Sequence, residues 1–209
     1  MIELSCPACG APVAFRSKAS VFAVCSFCKT TVVRHDTDLE AVGKMAELQY
    51  ELTPFQIGTS GVYGKRSFQI IGRVKVAYED GFWNEWYTIF GDDGETGWLA
   101  EAQGFLAMCF EINDKSIPKI DVIRPGSDVV MPPHGHFQVE DIRKVHCIFS
   151  EGELPVNAAQ GRRSNSVDLV GANQKMATIE YADTVRAFVG TYQDFDEFKF
   201  DNLRRIDGW

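Results

Sequence analysis

SFQIIGRVKVAYEDGFWNEWYTIFGDDGETGWLAEAQGFLAMCFEI, residues 67–112, reads as strands broken by turns. β-Branched and aromatic residues fill Ser67–Ala77, Trp83–Phe90, Gly97–Ala102 and Phe105–Ile112. Glu79-Asp80-Gly81 and Gly91-Asp92-Asp93-Gly94 supply the turn chemistry between them. A strand about every ten residues predicts an antiparallel meander, curled into a sheet or small barrel. Gly58, Gly61, Gly64 and Gly72 suit bends or bulges in such a sheet. Phe68, Ile70, Val74, Trp98, Leu99 and Phe110 are its expected core.

Working outward, a second block repeats the style. Strands are expected at Phe137–Ile142, Val145–Ser150, Ser166–Gly171, Met176–Tyr181 and Thr184–Tyr192. Pro125-Gly126 and Pro132-Pro133-His134-Gly135 separate the blocks, giving a body of residues 54–209 with lobes of about 54–124 and 125–209. Phe68-Gln69-Ile70 resembles Phe137-Gln138-Val139, and Asn84 to Gly91 parallels Asn165 to Gly171. This suggests an internal duplication, with Gly152-Glu153-Leu154-Pro155 in an excess of the second copy. The alternative is chance similarity among meanders. Residues from Asp194 on are read as a short helix or a last strand.

Residues 1–35 read differently. Cys6-Pro7-Ala8-Cys9-Gly10 is followed, after fifteen residues between Cys9 and Cys25, by Cys25-Ser26-Phe27-Cys28. Two residues between cysteines let a tight turn aim both sulfurs at one point, about 2.3 Å from a zinc ion. Gly10 can take the left-handed backbone that closes such a knuckle. The segment from Val13-Ala14-Phe15 to Val21-Phe22-Ala23-Val24 is expected to form a hairpin turning at Lys18-Ala19-Ser20. Cys6, Cys9, Cys25 and Cys28 would then hold a structural zinc, since four thiolates leave no coordination position for water or substrate. Cys109 and Cys147 lie in apolar runs and read as buried thiols. Residues 36–53 are read as a linker or short helix, because Gly43 interrupts the loose spacing of Leu39, Val42, Met45 and Leu52.

Composition narrows the class. Apolar residues make up 45% and charged residues 24%, which is ordinary for a globular chain. Apolar runs fall far short of a membrane-spanning helix, so no membrane span is expected. The opening residues lack the basic and apolar regions of a cleaved secretory signal, which leads to an expected cytoplasmic location. The head carries Arg16, Lys18, Lys29 and Arg34 against Glu3, while the whole chain has a net charge of −8. An acidic body repels phosphate backbones and argues against nucleic acid as the main partner.

The phrases PFQIGTSGVYGKRSFQIIGRV (54–74), WNEWY (83–87), GWLAEAQG (97–104), EGELP (151–155) and VDLVG (167–171), behind the CPACG and CSFCK head, carry a resemblance. The chain resembles the bacterial family called domain of unknown function 4178, with its N-terminal zinc ribbon. The likeness covers nearly the whole chain. It implies a bacterial, cytosolic setting and no particular reaction.

Several side chains are candidates for function. On a strand, Trp83, Glu85 and Tyr87 take one face and Asn84, Trp86 and Thr88 the other. Packing, with Glu85 paired to a base such as Arg73, competes with a partner-binding surface of Trp83, Glu85, Trp86, Glu101, Glu151 and Glu153. Glu85 and Glu101 could instead pair for acid–base work. His134 and His136 lack a third metal ligand, and Asp92, Asp93 and Glu95 read as a solvated turn. Phosphate-loop, dinucleotide-binding, HExxH and GxSxG motifs do not occur. The leading expectation is a non-enzymatic interaction or scaffold protein with a mainly β, two-lobed body and a protein partner. One alternative is an enzyme using Glu85, Glu101 or His136 in a cleft between lobes. Another is a nucleic-acid-associated ribbon protein.

Overall fold

The computed structural model describes residues 1–46, 52–91, 93–113 and 116–205. Its head is built from two hairpins, each carrying one cysteine knuckle in its turn. β1 (Ile2–Ser5) pairs with β2 (Pro12–Phe15) around Cys6 and Cys9, and β3 (Phe22–Val24) pairs with β4 (Thr30–His35) around Cys25 and Cys28. The expected hairpin between residues 13–15 and 21–24 is therefore replaced by two others. Each CxxC is itself the turn, so the strands flanking each pair, rather than those between the pairs, lie side by side. Residues expected as a linker or helix include a strand, β5 (Asp38–Lys44), which continues the sheet from β4. Gly43 sits at the bulge in that pairing, where a helix would have been weakest. The remainder of the expected linker includes residues 47–51, which lie outside the described residues.

The body begins with β6 (Ser60–Tyr63), β7 (Arg66–Tyr78), β8 (Gly81–Phe90), β9 (Thr96–Ala102) and β10 (Phe105–Ile112). It continues with β11 (Asp128–Met131), β12 (Gly135–Leu154), β13 (Arg163–Gly171), β14 (Lys175–Tyr181) and β15 (Val185–Gln193). Around the sheet the order is β7-β8-β9-β10-β15-β14-β13-β12, and β12 returns to pair with β7. All these pairings are antiparallel, so eight strands close into a barrel and no open edge remains among them. β12 unites the two segments expected as separate strands. Its 20 residues serve β13 with one half and β7 with the other, and bulges after Val139 and Cys147 bend it between the two.

The register shows that the two lobes repeat one another. Each is a four-stranded meander, β7–β10 or β12–β15. Lys75 faces Asn84 as Lys144 faces Asn165, and a bulge follows Ile70 as it follows Val139. Asn84 faces Glu101, which faces Leu106; Asn165 faces Tyr181, which faces Val185. Continuing this match equates Phe110 with Val189, and Phe68 with Phe137 equates Ala77 with His146. Those equated residues face each other across the two seams, so an approximate two-fold axis passes through both. The EGELP stretch ends β12 and begins the long return to β13, which the short β7–β8 turn lacks.

The lobes share the inside of the barrel and differ outside it. Alternation turns Val74, Val76, Tyr87, Trp98, Cys109 and Cys147 into one interior cluster. Phe68, Ile70, Trp86, Leu99 and Met108 face outward from the first lobe and are covered by Phe55 and Phe198. On the second lobe, Phe137, Val139 and Ile179 are covered by Ile123 and Met131. Residues 117–123 thus pack on the second lobe, and 195–203 on the first. The latter contain a short 3-10 turn, Phe195–Phe198, and an isolated bridge from Asp201 to Ser60. Of the expected core, Phe68, Ile70, Val74, Trp98 and Leu99 are buried and Phe110 is partly so. Among the described residues no helix is long and apolar enough to cross a membrane.

Candidate functional site

The cysteine knuckles match each other bond for bond. The Cys6 N–H donates to the Ala11 carbonyl and the Gly10 N–H to the Cys6 carbonyl; Cys25 and Thr30, and Lys29 and Cys25, do the same. Gly10 has φ 75° and Lys29 φ 61°, so both knuckles close through a left-handed residue, although only one is glycine. The four sulfurs lie within 4.8 Å of one another, with Cys6 to Cys28 at 3.7 Å and Cys9 to Cys25 at 3.8 Å. A tetrahedron with metal–sulfur bonds of about 2.3 Å has edges of about 3.8 Å, so the set fits one metal ion. The Cys28 Sγ bonds the Thr30 hydroxyl at 3.1 Å, and hydrogen bonding with the Thr30 side chain and backbone lowers the Cys28 pKa to about 6, toward the thiolate a metal needs. Cys6, Cys9, Cys25 and Cys28 can therefore hold a metal together. His134 and His136 join no such cluster among the described residues.

The head is fastened to one end of the barrel. β3 pairs with the last residues of β12, Ala23 facing Glu153 and Phe22 facing Leu154. Glu153 is 3% exposed, and its carboxylate accepts the Arg16 N–H at 2.8 Å and the Ser17 N–H at 3.1 Å. Phe22, Val24 and Met45 extend the barrel's interior cluster into the head. At this junction the backbones of β7 and β12 nearly touch. A Cβ on Gly72 would lie 2.0 Å from the Glu153 carbonyl oxygen, and one on Gly152 2.2 Å from that of Ile71. Glu153, expected on a partner surface, is instead an internal fastener; Glu151 stays half-buried beside Arg73.

The WNEWY strand divides as its alternation predicts. Trp83, Glu85 and Tyr87 point inward, while Asn84 and Trp86 point out, Asn84 toward Glu101 and Trp86 against Phe55. Trp86 is fully buried and so is no partner surface. Glu101 also faces outward, where one carboxylate oxygen accepts bonds from Thr53, Asn84 and Trp86 at 2.8, 2.9 and 2.9 Å. Arg73 lies on this outer side, bonded to Asn84 and stacked on Trp86, so it is not the partner of Glu85. Cross-strand pairing places Arg73 beside Trp86, on the opposite face from Glu85. Glu85 and Glu101 thus lie on opposite sides of the sheet, and His136 is exposed at the start of β12. The carboxylate pair and the inter-lobe constellation expected of an enzyme do not form. Asp93 and Glu95 pair with Arg66 at their turn, and Asp92 lies outside the described residues.

What lies between the lobes is the barrel's lumen. A cavity of about 80 Å³ is walled by residues from all eight strands, among them Val74, Trp83, Trp98, Cys109, Met176 and Phe188. It shares Trp83, Glu85, Ala100, Ser166, Met176 and Thr178 with a wide mouth of about 1040 Å³. Val156, Ala158 and Arg162, from the return loop after β12, line the lumen away from that mouth. There Arg162 pairs with Glu180 at 2.6 Å, and Arg186 forms two bonds to Glu111. Glu85, nearer the mouth, accepts the Trp83 indole N–H at 2.9 Å. Burial raises its pKa from 4.5 to about 7, and the nearby Glu180 charge adds to the rise. Burial likewise raises Asp168, which is held by the Ser166 and Thr178 hydroxyls. Cys109 and Cys147 are inert lumen thiols, pushed by burial to about 12 and about 11.

Sequence reasoning missed Asp168, Glu180, Arg162 and Arg186. Inward alternation along β13–β15 was available as a signal for Asp168, Glu180 and Arg186, but not for Arg162 in the loop before β13, and only barrel closure brings these strands against Glu85. The molecule is thus a closed antiparallel barrel with a four-cysteine ribbon at one end. Residues 56–195 match the family model described as domain of unknown function (DUF4178), and the chain belongs to that family. No curated protein and no solved structure matches it.

Proposed function

We propose that this chain is a non-enzymatic binding protein. The ribbon's metal is structural, and the open mouth of the barrel is the binding site. The observation that carries this reading is the lumen: a closed barrel, covered by the ribbon junction and return loop on one side, opens on the other into a mouth large enough for a small molecule. Zinc suits the metal site, because four thiolates in a tetrahedron favour it and leave no position for substrate. Metal binding would fold the head, and the head would hold the junction of β7, β12 and β3. A protein partner, as expected from the sequence, would reach the mouth over exposed Phe82 and Phe105, which stand 54% and 67% exposed there.

The test uses the intact protein and an Ala100→Phe variant, which fills the passage between mouth and lumen. A panel of small molecules screened by thermal shift should raise the melting temperature of the wild type and leave the variant unmoved. Turnover of any panel member, abolished by Glu85→Gln in a folded chain, would establish catalysis and overturn the reading.

A further inference from the structure

We propose that the mouth selects an organic cation, an alkyl- or arylalkyl-ammonium whose charged head enters the throat and whose apolar body stays among the rim aromatics. This rests on the reading of the lumen as a binding site and adds the ligand's chemical class.

Charge gives the first argument. Glu85, Glu140, Asp141, Asp168, Asp194 and Glu197 line the mouth and throat. Among the described residues lining it, Arg143 is the single cationic side chain. That guanidinium is already engaged, 2.6 Å from Asp141, 3.8 Å from Asp168 and over the Tyr78 ring. The cations deeper in the lumen, Arg162 and Arg186, are likewise matched by Glu180 and Glu111. A carboxylate or phosphate entering here meets an excess of negative charge inside low-dielectric walls, and a cation meets the opposite.

Shape gives the second. The throat, about 80 Å³, has room for a small head and not for a ring with a long chain. An ammonium at the entrance of the throat meets Glu85, which lines both throat and mouth, and Asp168, which lines the mouth, and these replace the water it leaves. At the mouth, Trp83, which also walls the throat, packs tilted near Tyr78 at 5.6 Å, and Phe105 packs edge to face near Tyr192 at 6.3 Å. Such rings attract both an apolar body and a cation at their faces. Met176, between them and the throat, can adapt to the shape of the chain that connects head and body.

Three probes share one skeleton and differ in charge: 3-phenylpropylammonium, 3-phenylpropanol and 3-phenylpropanoate. Each is titrated calorimetrically into the full-length protein, its Glu85→Gln and Asp168→Asn variants, and Ala100→Phe. The proposal expects the ammonium to bind at least about tenfold more tightly than the alcohol, and the carboxylate weakest. Each carboxylate variant should weaken the ammonium severalfold and leave the alcohol unchanged. Should the alcohol or carboxylate bind as well as the ammonium, with all three lost in Ala100→Phe, the cation class is wrong while the lumen site stands. If none of the three binds the wild type, or binding survives in Ala100→Phe, the lumen site itself is wrong.

Discussion

Glu153→Ala should loosen the ribbon from the barrel without touching its metal. The carboxylate is 3% exposed and receives two backbone N–H groups, from Arg16 at 2.8 Å and Ser17 at 3.1 Å. Hydrogen bonds to a charged group contribute about 1.5–3 kcal/mol each, and buried donors left unpaired cost about as much. Water entering the gap and the surviving β3–β12 pairing offset part of this, leaving a loss of about 3 kcal/mol. For a chain of this size that lowers the melting temperature by roughly 6–12 °C. Differential scanning calorimetry measures it, with Glu40→Ala as control, since Glu40 only meets His35 at the exposed surface. Metal content should stay that of the wild type in both variants. A drop of less than about 2 °C for Glu153→Ala would refute the fastening role, because even one such bond exceeds it.

Gly72→Ala should cost about 3 kcal/mol or more, or prevent folding, since its Cβ would lie 2.0 Å from the Glu153 carbonyl oxygen; chemical denaturation reads it. Cys25→Ser should abolish stoichiometric metal and unfold the head while most barrel circular dichroism persists, because the barrel has its own closed hydrogen bonding. Glu85 sets a pH dependence. Its folded pKa of about 7 stands above the ordinary 4.5, so the folded state holds the proton more tightly. Its contribution is therefore full below 4.5 and is lost as pH rises through about 7. Denaturation at a series of pH values should show the wild type falling relative to Glu85→Gln over that window, and parallel curves would contradict the burial of this carboxyl.

Much of this architecture was legible in the chain. Phe105–Ile112 is a strand with the bounds expected from its apolar run, and the cysteine spacing led directly to the sulfur cluster. The inward and outward faces of the WNEWY strand followed from period-two alternation. Barrel closure was not legible, because the pairings of β10 with β15 and β12 with β7 join segments far apart in sequence. Without closure, Glu85 and Glu101 look like a candidate pair. With it, one is inside the lumen and the other is held by Thr53, Asn84 and Trp86 outside. Glu153 was misjudged for a related reason. Acidic residues before Leu154-Pro155 resemble an exposed loop, and only the docked ribbon supplies the N–H groups that make burial tolerable. Residues 38–44 show the same dependence: their exposed strand exists because β4 offers an edge.

The claim that the lumen is the binding site is tested most directly by the indole N–H resonances of the protein during titration with 3-phenylpropylammonium. Trp83 donates to Glu85 in the throat, whereas Trp86 is bonded to Glu101 on the outer face of the same strand. Binding in the lumen predicts a saturable shift of the Trp83 indole signal while that of Trp86 stays in place. A shift confined to Trp86, or saturable binding that leaves Trp83 unmoved, would contradict it.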